Sequence, residues 1–366
     1  MPGDANLDPS HLHGSHMFAR LRRLFAGSAG ASVHEAAIVK APDVAMHWAA
    51  DTRQPIPAWE RIAECEDPQW SEAVRDAYWT RAAEHWLTAL AESLGPGYGL
   101  QASDRFLLLS GLPPEQSRAF LSFCESARRR IVRNLGELAL PPGGGKHVCL
   151  MYADQDAYYD YIAHYYPEGG EYAMSGGMFI RAGYGHFALF EGDIDTMRAT
   201  IAHEMTHALL SHLPIPMWLN EGMAVNTEHS LFPQLGDPRA QLYSPAEIAR
   251  KHAAFWNPQR IQEFWSGASF LRTDDGNMLS YDLAKKMVGL AAKDHAAFVA
   301  FVQRAQAEDG GDSASELLGY PLEDLAAVVL GDGDWMLRPQ TWSDSPEGAE
   351  SGSAATQATA GPATVA

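Results

Sequence analysis

Apolar side chains recur at helical spacing between Trp70 and Leu94, where Val74, Tyr78, Ala82, Trp86 and Leu90 follow one another at intervals of four residues. Asp67-Pro68 and Gly95-Pro96-Gly97 punctuate this stretch, so the pattern predicts a bounded helix. Downstream the pattern alternates. Short apolar runs at Arg105 to Ser110 (RFLLLS) and His147 to Tyr152 (HVCLMY) predict strands. Pro113 to Leu135 between them predicts a helix that opens on Pro-Pro-Glu. Asp154 to His164 reads as a helix. Glu171 to Ile180 and Gly185 to Phe190 read as strands joined by Arg181-Ala182-Gly183-Tyr184. Asp193 to Leu213 carries a long helical pattern with carboxylates at its start, where the helix dipole favours them, and Pro214 and Pro216 end it. A second helix is predicted from about Asn220 to His229. Helical patterns dominate from Ser244 onward, at Leu279 to Ala292, Ala296 to Ala305 and Leu322 to Leu330.

This order predicts an α+β fold: a small mixed sheet beside one long helix, a helical C-terminal half and a helical N-terminal extension. The expected organisation is a disordered leader at 1–40, a helical region at 41–96, a main domain at 97–337 and a tail at 338–366. The tail is rich in Ser, Gly, Ala and Thr and poor in large apolar side chains, a composition expected to stay disordered. Gly14-Ser15-His16-Met17 reads as a cloning remnant with Met17 a candidate start, and the stretch after Met17 lacks the apolar core of a secretory signal. The Trp-rich region before Pro96 reads as a helical cap on the main domain.

Charge narrows the partners. Lys and Arg number 27 against 46 Asp and Glu, a formal net charge of -19, which repels nucleic acid and anionic lipid. Arg128-Arg129-Arg130 lies in a helical pattern and reads as a solvated face. No apolar run reaches the ~18 residues of a membrane-spanning helix. The three cysteines, Cys65, Cys124 and Cys149, are scattered and odd in number, which argues against a disulfide framework or a cysteine metal site and fits a reducing, cytoplasmic setting. Cys124 and Cys149 read as packing residues, as do Tyr158, Tyr159, Tyr161, Tyr165 and Tyr166.

The candidate chemistry lies in His203-Glu204-Met205-Thr206-His207, an HExxH sequence inside the long helical pattern. A spacing of four puts both imidazoles on one face, a turn apart, within reach of one metal ion. Glu204 sits about 100° round the helix from His203, placed to act on water rather than to ligate. Glu221 follows fourteen residues after His207, beyond the proline turn. A helix–turn–helix of that length can return its carboxylate to the metal, giving the His, His, Glu set of catalytic zinc sites. Zinc lowers the pKa of bound water toward ~7. Glu204 is then the expected general base and, later, the donor to the leaving amine. For a donor to the oxyanion the candidate is Tyr281, expected to open a helix after a mobile Thr273 to Asn277, with Tyr243 and His229 as competitors.

HEMTHALL, PMWLNEGMA and SYDLAKKMV together resemble the gluzincin superfamily of metallopeptidases, and more closely the compact peptidase-MA-like families. There HExxH is followed by a Trp-x-x-Glu-Gly-x-Ala element, matched by Trp218 to Ala224. A later Tyr-starting helix and a Leu-Gly-containing helical stretch follow, here Ala314 to Trp335. The resemblance spans roughly 97 to 336. It implies zinc at His203, His207 and Glu221, catalysis by Glu204, a role for Tyr281, and hydrolysis of a peptide or protein substrate. It further implies that the strand Gly185 to Phe190 is the sheet edge that pairs with extended substrate. Larger thermolysin-like members carry an Asp four residues after the ligand Glu to support a ligand His. Here that position is Val225, and Glu228 is the candidate replacement. Two other readings of the same residues are a catalytically silent zinc-binding module and a zinc hydrolase of a non-peptide amide.

Overall fold

The computed structural model describes residues 41–50, 52–139, 144–165, 176–233 and 243–344. The chain divides into two units, Met1–Lys40 and Ala41–Ala366, and all of the described residues belong to the second. The expected leader, the tail beyond 344 and Tyr166 lie outside them.

Two helices come first, α1 (Trp59–Ala63) and α2 (Glu72–Leu94). The Ser71 hydroxyl caps α2 by accepting the Val74 N–H. Then follow β1 (Gly99–Ala102), β2 (Phe106–Ser110), α3 (Pro114–Leu135), β3 (His147–Tyr152), α4 (Gln155–Ile162), β4 (Gly177–Ile180) and β5 (His186–Phe190). These strands form one mixed sheet in the order β1-β2-β3-β5-β4. The inner pairs β2–β3 and β3–β5 are parallel, and β1 and β4 are antiparallel edges.

The sheet corrects one expectation. Gly185 to Phe190 is not an edge. It holds β5, paired on one side with β3 and on the other with β4, so β4 is the edge strand. The physical reason is burial: four of the five residues of HFALF are buried, as an inner strand requires. The unanticipated strand β1 (GLQA) has the opposite character. It is half-exposed and carries one large apolar side chain, too little pattern to announce a strand.

Side chains alternate across the sheet with period two, and each face is covered. Leu107, Leu109, Val148, Leu150, Tyr152 and Ala188 pack against Trp59, Trp79 and Trp86 of α1 and α2 and Tyr158 and Tyr161 of α4. The Trp-rich N-terminal helices therefore share a core with the sheet. Phe106, Leu108, Cys149, Met151, Phe187 and Leu189 face the other way, onto Phe120, Cys124 and Ile131 of α3 and Ile201 and Met205 of α5 (Ile194–Leu210). That core continues into the helical C-terminal half: α6 (Met217–Leu231), α7 (Pro245–Phe255), α8 (Arg260–Ser266), α9 (Asp275–Ala291), α10 (His295–Arg304) and α11 (Leu322–Leu330). Helix α5 thus lies between the sheet and the C-terminal helices. The α+β expectation holds. Among the described residues no helix is long and apolar enough to cross a membrane.

One local expectation changes. Helix α9 begins at Asp275, so Tyr281 lies in its second turn rather than opening it. Asp-Asp-Gly-Asn reads as a loop by propensity, but here it supplies a cap and first turn, where Asp is favoured. Asp274 accepts the Gly276 N–H at 2.9 Å and is gripped by Arg272 at 2.8 and 2.6 Å, while Arg272 also reaches Glu263 at 2.7 Å. The expected helical stretch Ala314 to Trp335 holds its helix where the pattern placed it, at Leu322–Leu330. A 3-10 segment (Asp312–Leu318) and α11 are separated at Gly319, which adopts φ 80.

One buried histidine makes the fold acid-sensitive. His186 is fully buried; its Nδ1–H donates to the Tyr184 carbonyl at 2.7 Å and its Nε2 accepts from the Tyr161 hydroxyl at 2.6 Å. Burial lowers its pKa to about 4, against the pull of the Tyr184 carbonyl. The folded state therefore refuses a proton that the unfolded chain accepts below about 6.5. Stability contributed by neutral His186 is intact above about 6.5 and is lost as pH falls toward 4. At 1.36 kcal/mol per unit, about 2 kcal/mol is gone at pH 5. Urea unfolding at pH 7 and pH 5 is expected to show wild type losing about 2 kcal/mol more than His186→Asn. Equal losses would clear the imidazole of this role.

Candidate metal centre

Two consecutive helices build the site. The Asp193 carboxylate caps α5 by accepting the Thr196 N–H at 3.0 Å. Three turns in, His203 and His207 stand on one face with ring centroids 4.8 Å apart. The turn through Pro214 and Pro216 ends α5 and launches α6, with Pro216 at the cap position. Trp218 then fixes the register of α6. It is fully buried, donates its indole N–H to the Gly310 carbonyl at 2.9 Å, and packs on Trp265 at 5.9 Å. Glu221 follows three residues later, on the side facing α5.

Gly222 lets α6 sit close to α9. A β-carbon there would stand 2.7 Å from the Ala284 carbonyl oxygen and 2.6 Å from Val288 Cγ2, closer than real β-carbons come. Glycine removes the obstruction and brings the two backbones together beside the ligand carboxylate.

The Glu221 Oε2 lies 3.3 Å from His203 Nε2 and 3.4 Å from His207 Nε2, and one ligand atom from each residue falls within 4.8 Å of the other two. Donors about 2.1 Å from a shared ion at tetrahedral angles stand about 3.4 Å apart, a spacing that both Glu221–histidine distances match. The His203, His207 and Glu221 side chains keep 16%, 11% and 16% exposure, so the centre is largely shielded but reachable from solvent. The outer imidazole nitrogens are also engaged. His203 Nδ1 lies 3.3 Å from Glu228 Oε2, and His207 Nδ1 lies 3.0 Å from Asn220 Oδ1. Acceptors at both Nδ1 atoms require hydrogens there, so it is the Nε2 atoms, both turned toward Glu221, that are placed to ligate an ion once deprotonated. These residues could hold a metal ion.

The charges around the site are strongly coupled. Burial opposes charge on His203, but the Glu221 and Glu228 carboxylates outweigh it and lift the imidazole to about 10. His207 is raised in the same way, against burial, chiefly by Glu221. Burial works to raise Glu221, yet the two histidines hold it well below the usual carboxylate range.

Glu204 does not join this cluster. Its Oε2 accepts the Phe179 N–H of the edge strand β4 at 2.8 Å, which places the carboxylate between α5 and the sheet edge. Burial raises its pKa, with the two neighbouring histidines pulling the other way. Tyr281 is half-buried, edge-on to Phe270 at 5.2 Å. It shares a face of α9 with Ala284 and Val288, the residues that approach Gly222. Its competitors are engaged elsewhere: Tyr243 lies under the Lys251 ammonium at 4.4 Å, and His229 Nδ1–H donates to the Val225 carbonyl at 3.0 Å. His212 is exposed, and Val225 is a buried apolar residue. The Arg128 guanidinium is not simply solvated, because its Nε–H donates to His147 Nε2 at 3.2 Å. Asn220 was not singled out by its sequence; the available signal was its position directly before Glu221.

A comparison with protein-family models finds no match to this chain, and a comparison with curated proteins finds none.

Proposed function

We propose that this chain is a zinc-dependent metallopeptidase that hydrolyses peptide bonds. One observation carries the reading: His203, His207 and Glu221 converge to within 4.8 Å from two consecutive helices. Zinc, when bound by these three, supplies a Lewis acid and acidifies water. Glu204 takes a proton from the attacking water and returns it to the leaving amine. Its position beside β4 supports this role, since a backbone lying along the sheet edge passes close to its carboxylate. Edge strand β4 is where we place an extended peptide, and Tyr281 is our candidate for the hydrogen-bond donor to the developing oxyanion.

The test is digestion of a diverse peptide library by the zinc-loaded full chain, read by mass spectrometry. Cleavage is expected to stop with a chelator and return with added zinc. Uptake of one zinc per chain with every peptide left intact would sink the peptidase reading and leave a binding module or a hydrolase of another amide. No zinc uptake would sink the metal centre itself.

A further inference from the structure

Helix α5 and edge strand β4 meet at two levels, one helical turn apart. At Glu204 the Phe179 N–H donates to Oε2 at 2.8 Å, so that peptide group points off the sheet edge toward the helix rather than toward β5. Thr200 lies four residues before Glu204, one turn away on the same face of α5. Gly177 lies two residues before Phe179, on the same face of β4. A β-carbon at Gly177 would stand 3.0 Å from the Ala188 carbonyl oxygen, 3.0 Å from Leu189 Cβ and 3.1 Å from Thr200 Cγ2. It would be caught between β5 and α5, inside the about 3.5–4.0 Å of ordinary carbon contacts. Gly177 does not adopt a positive φ, so close approach rather than backbone angle is what calls for glycine there.

We propose that Gly177 is a positioning residue for the general base. By letting β4 lie flush against α5, it brings the Phe179 N–H to Glu204 and holds one carboxylate oxygen in place. The inference rests on the reading of Glu204 as the general base of a peptidase. A glutamate side chain is otherwise free to turn, and a general base works only when it is aimed at the proton it takes. A charge-assisted bond from the strand to Oε2 restricts where Oε1 can point. The same strand is where we place the peptide, so base and substrate share one frame of reference. A methyl group at Gly177 forces its neighbours to give by a few tenths of an ångström, and that displacement falls between β4 and the helix carrying Glu204.

The experiment compares wild type, Gly177→Ala, Gly177→Ala combined with Thr200→Ser, and Gly99→Ala. Gly99 opens β1, the opposite edge strand, and a β-carbon there meets nothing within 4 Å, so it serves as the control. The first readout is hydrogen exchange of the Phe179 amide by NMR, which needs no activity. Gly177→Ala is expected to exchange faster there than wild type. Thr200→Ser removes the methyl group on the helix side and is expected to restore part of the protection. Gly99→Ala is expected to match wild type. The second readout is turnover of a cleavable peptide. Gly177→Ala is expected to lower kcat by about 10-fold with KM and zinc affinity unchanged, because the peptide moves with the strand and the metal ligands stay put. Thr200→Ser is again expected to recover part of the loss. Thermal melting reports folding; if Gly177→Ala does not fold, Thr200→Ile, which crowds Gly177 from the helix side, decides on the same two readouts. Unchanged Phe179 exchange or unchanged kcat in folded Gly177→Ala, an equal effect in Gly99→Ala, or a loss that Thr200→Ser leaves in full would overturn the proposal. A zinc-loaded wild type that cleaves no peptide would instead overturn the peptidase reading beneath it, whatever the exchange at Phe179 shows.

Discussion

Glu204→Gln is expected to cut kcat/KM on a cleavable peptide by about 10²–10⁴-fold, or about 3–5 kcal/mol of transition-state stabilisation. It should leave zinc at one per chain. The substitution is chosen for what it preserves. Gln has the size of Glu and offers an oxygen to the Phe179 N–H, now bonded at 2.8 Å, so the contact between α5 and β4 survives. The capacity to accept a proton does not survive. Burial raises the Glu204 pKa, with the two histidines pulling the other way, and an upward shift is the direction that suits a group that both takes and returns a proton. Because Glu204 lies outside the His, His, Glu cluster, metal content and turnover should separate cleanly in this variant. Activity within a few-fold of wild type, measured at matched zinc occupancy, would remove Glu204 from the reaction.

The His, His, Glu cluster and its neighbour Glu204 are legible in the sequence because they sit on regular structure. Residues four apart on a helix share a face whatever surrounds them, so the His203 and His207 pairing follows from sequence spacing alone. The return of Glu221 needed only a proline turn and a helix restart. The buried strands β2 and β3 were equally legible, since both faces of the sheet are covered and their sequences are unbroken apolar runs. What stayed hidden depends on neighbours remote in sequence. Strand order is one example: nothing in HFALF says that β4 rather than β5 forms the rim. Helix α9 is another, where Arg272 and Asp274 cap a sequence that reads as loop. Asn220 is the third. It shows as a partner of His207 only once α5 and α6 lie side by side, because an acceptor for a histidine nitrogen is defined by distance across two helices.

Glu221→Ala is expected to have the larger effect on the metal itself. After gel filtration the variant should retain far less than the one zinc per chain expected of wild type, and its affinity should fall by more than the about 10–100-fold ascribed to partners outside the ligand set. The reason is electrostatic as much as geometric. In the folded, metal-free chain Glu221 is the carboxylate that both histidines face, at 3.3 and 3.4 Å, and those histidines hold it ionised. Removing it takes away a donor atom and also the negative charge that makes a divalent ion welcome between two imidazoles. The rest of α6 should stay where it is, because Trp218 and Gly222 anchor it through contacts that do not involve the carboxylate. Melting of the metal-free variant should therefore stay cooperative while zinc, measured by elemental analysis, is lost. Full zinc retention by a folded Glu221→Ala would place the ion on other ligands, and with it would go the geometry from which Glu204 and Tyr281 take their roles.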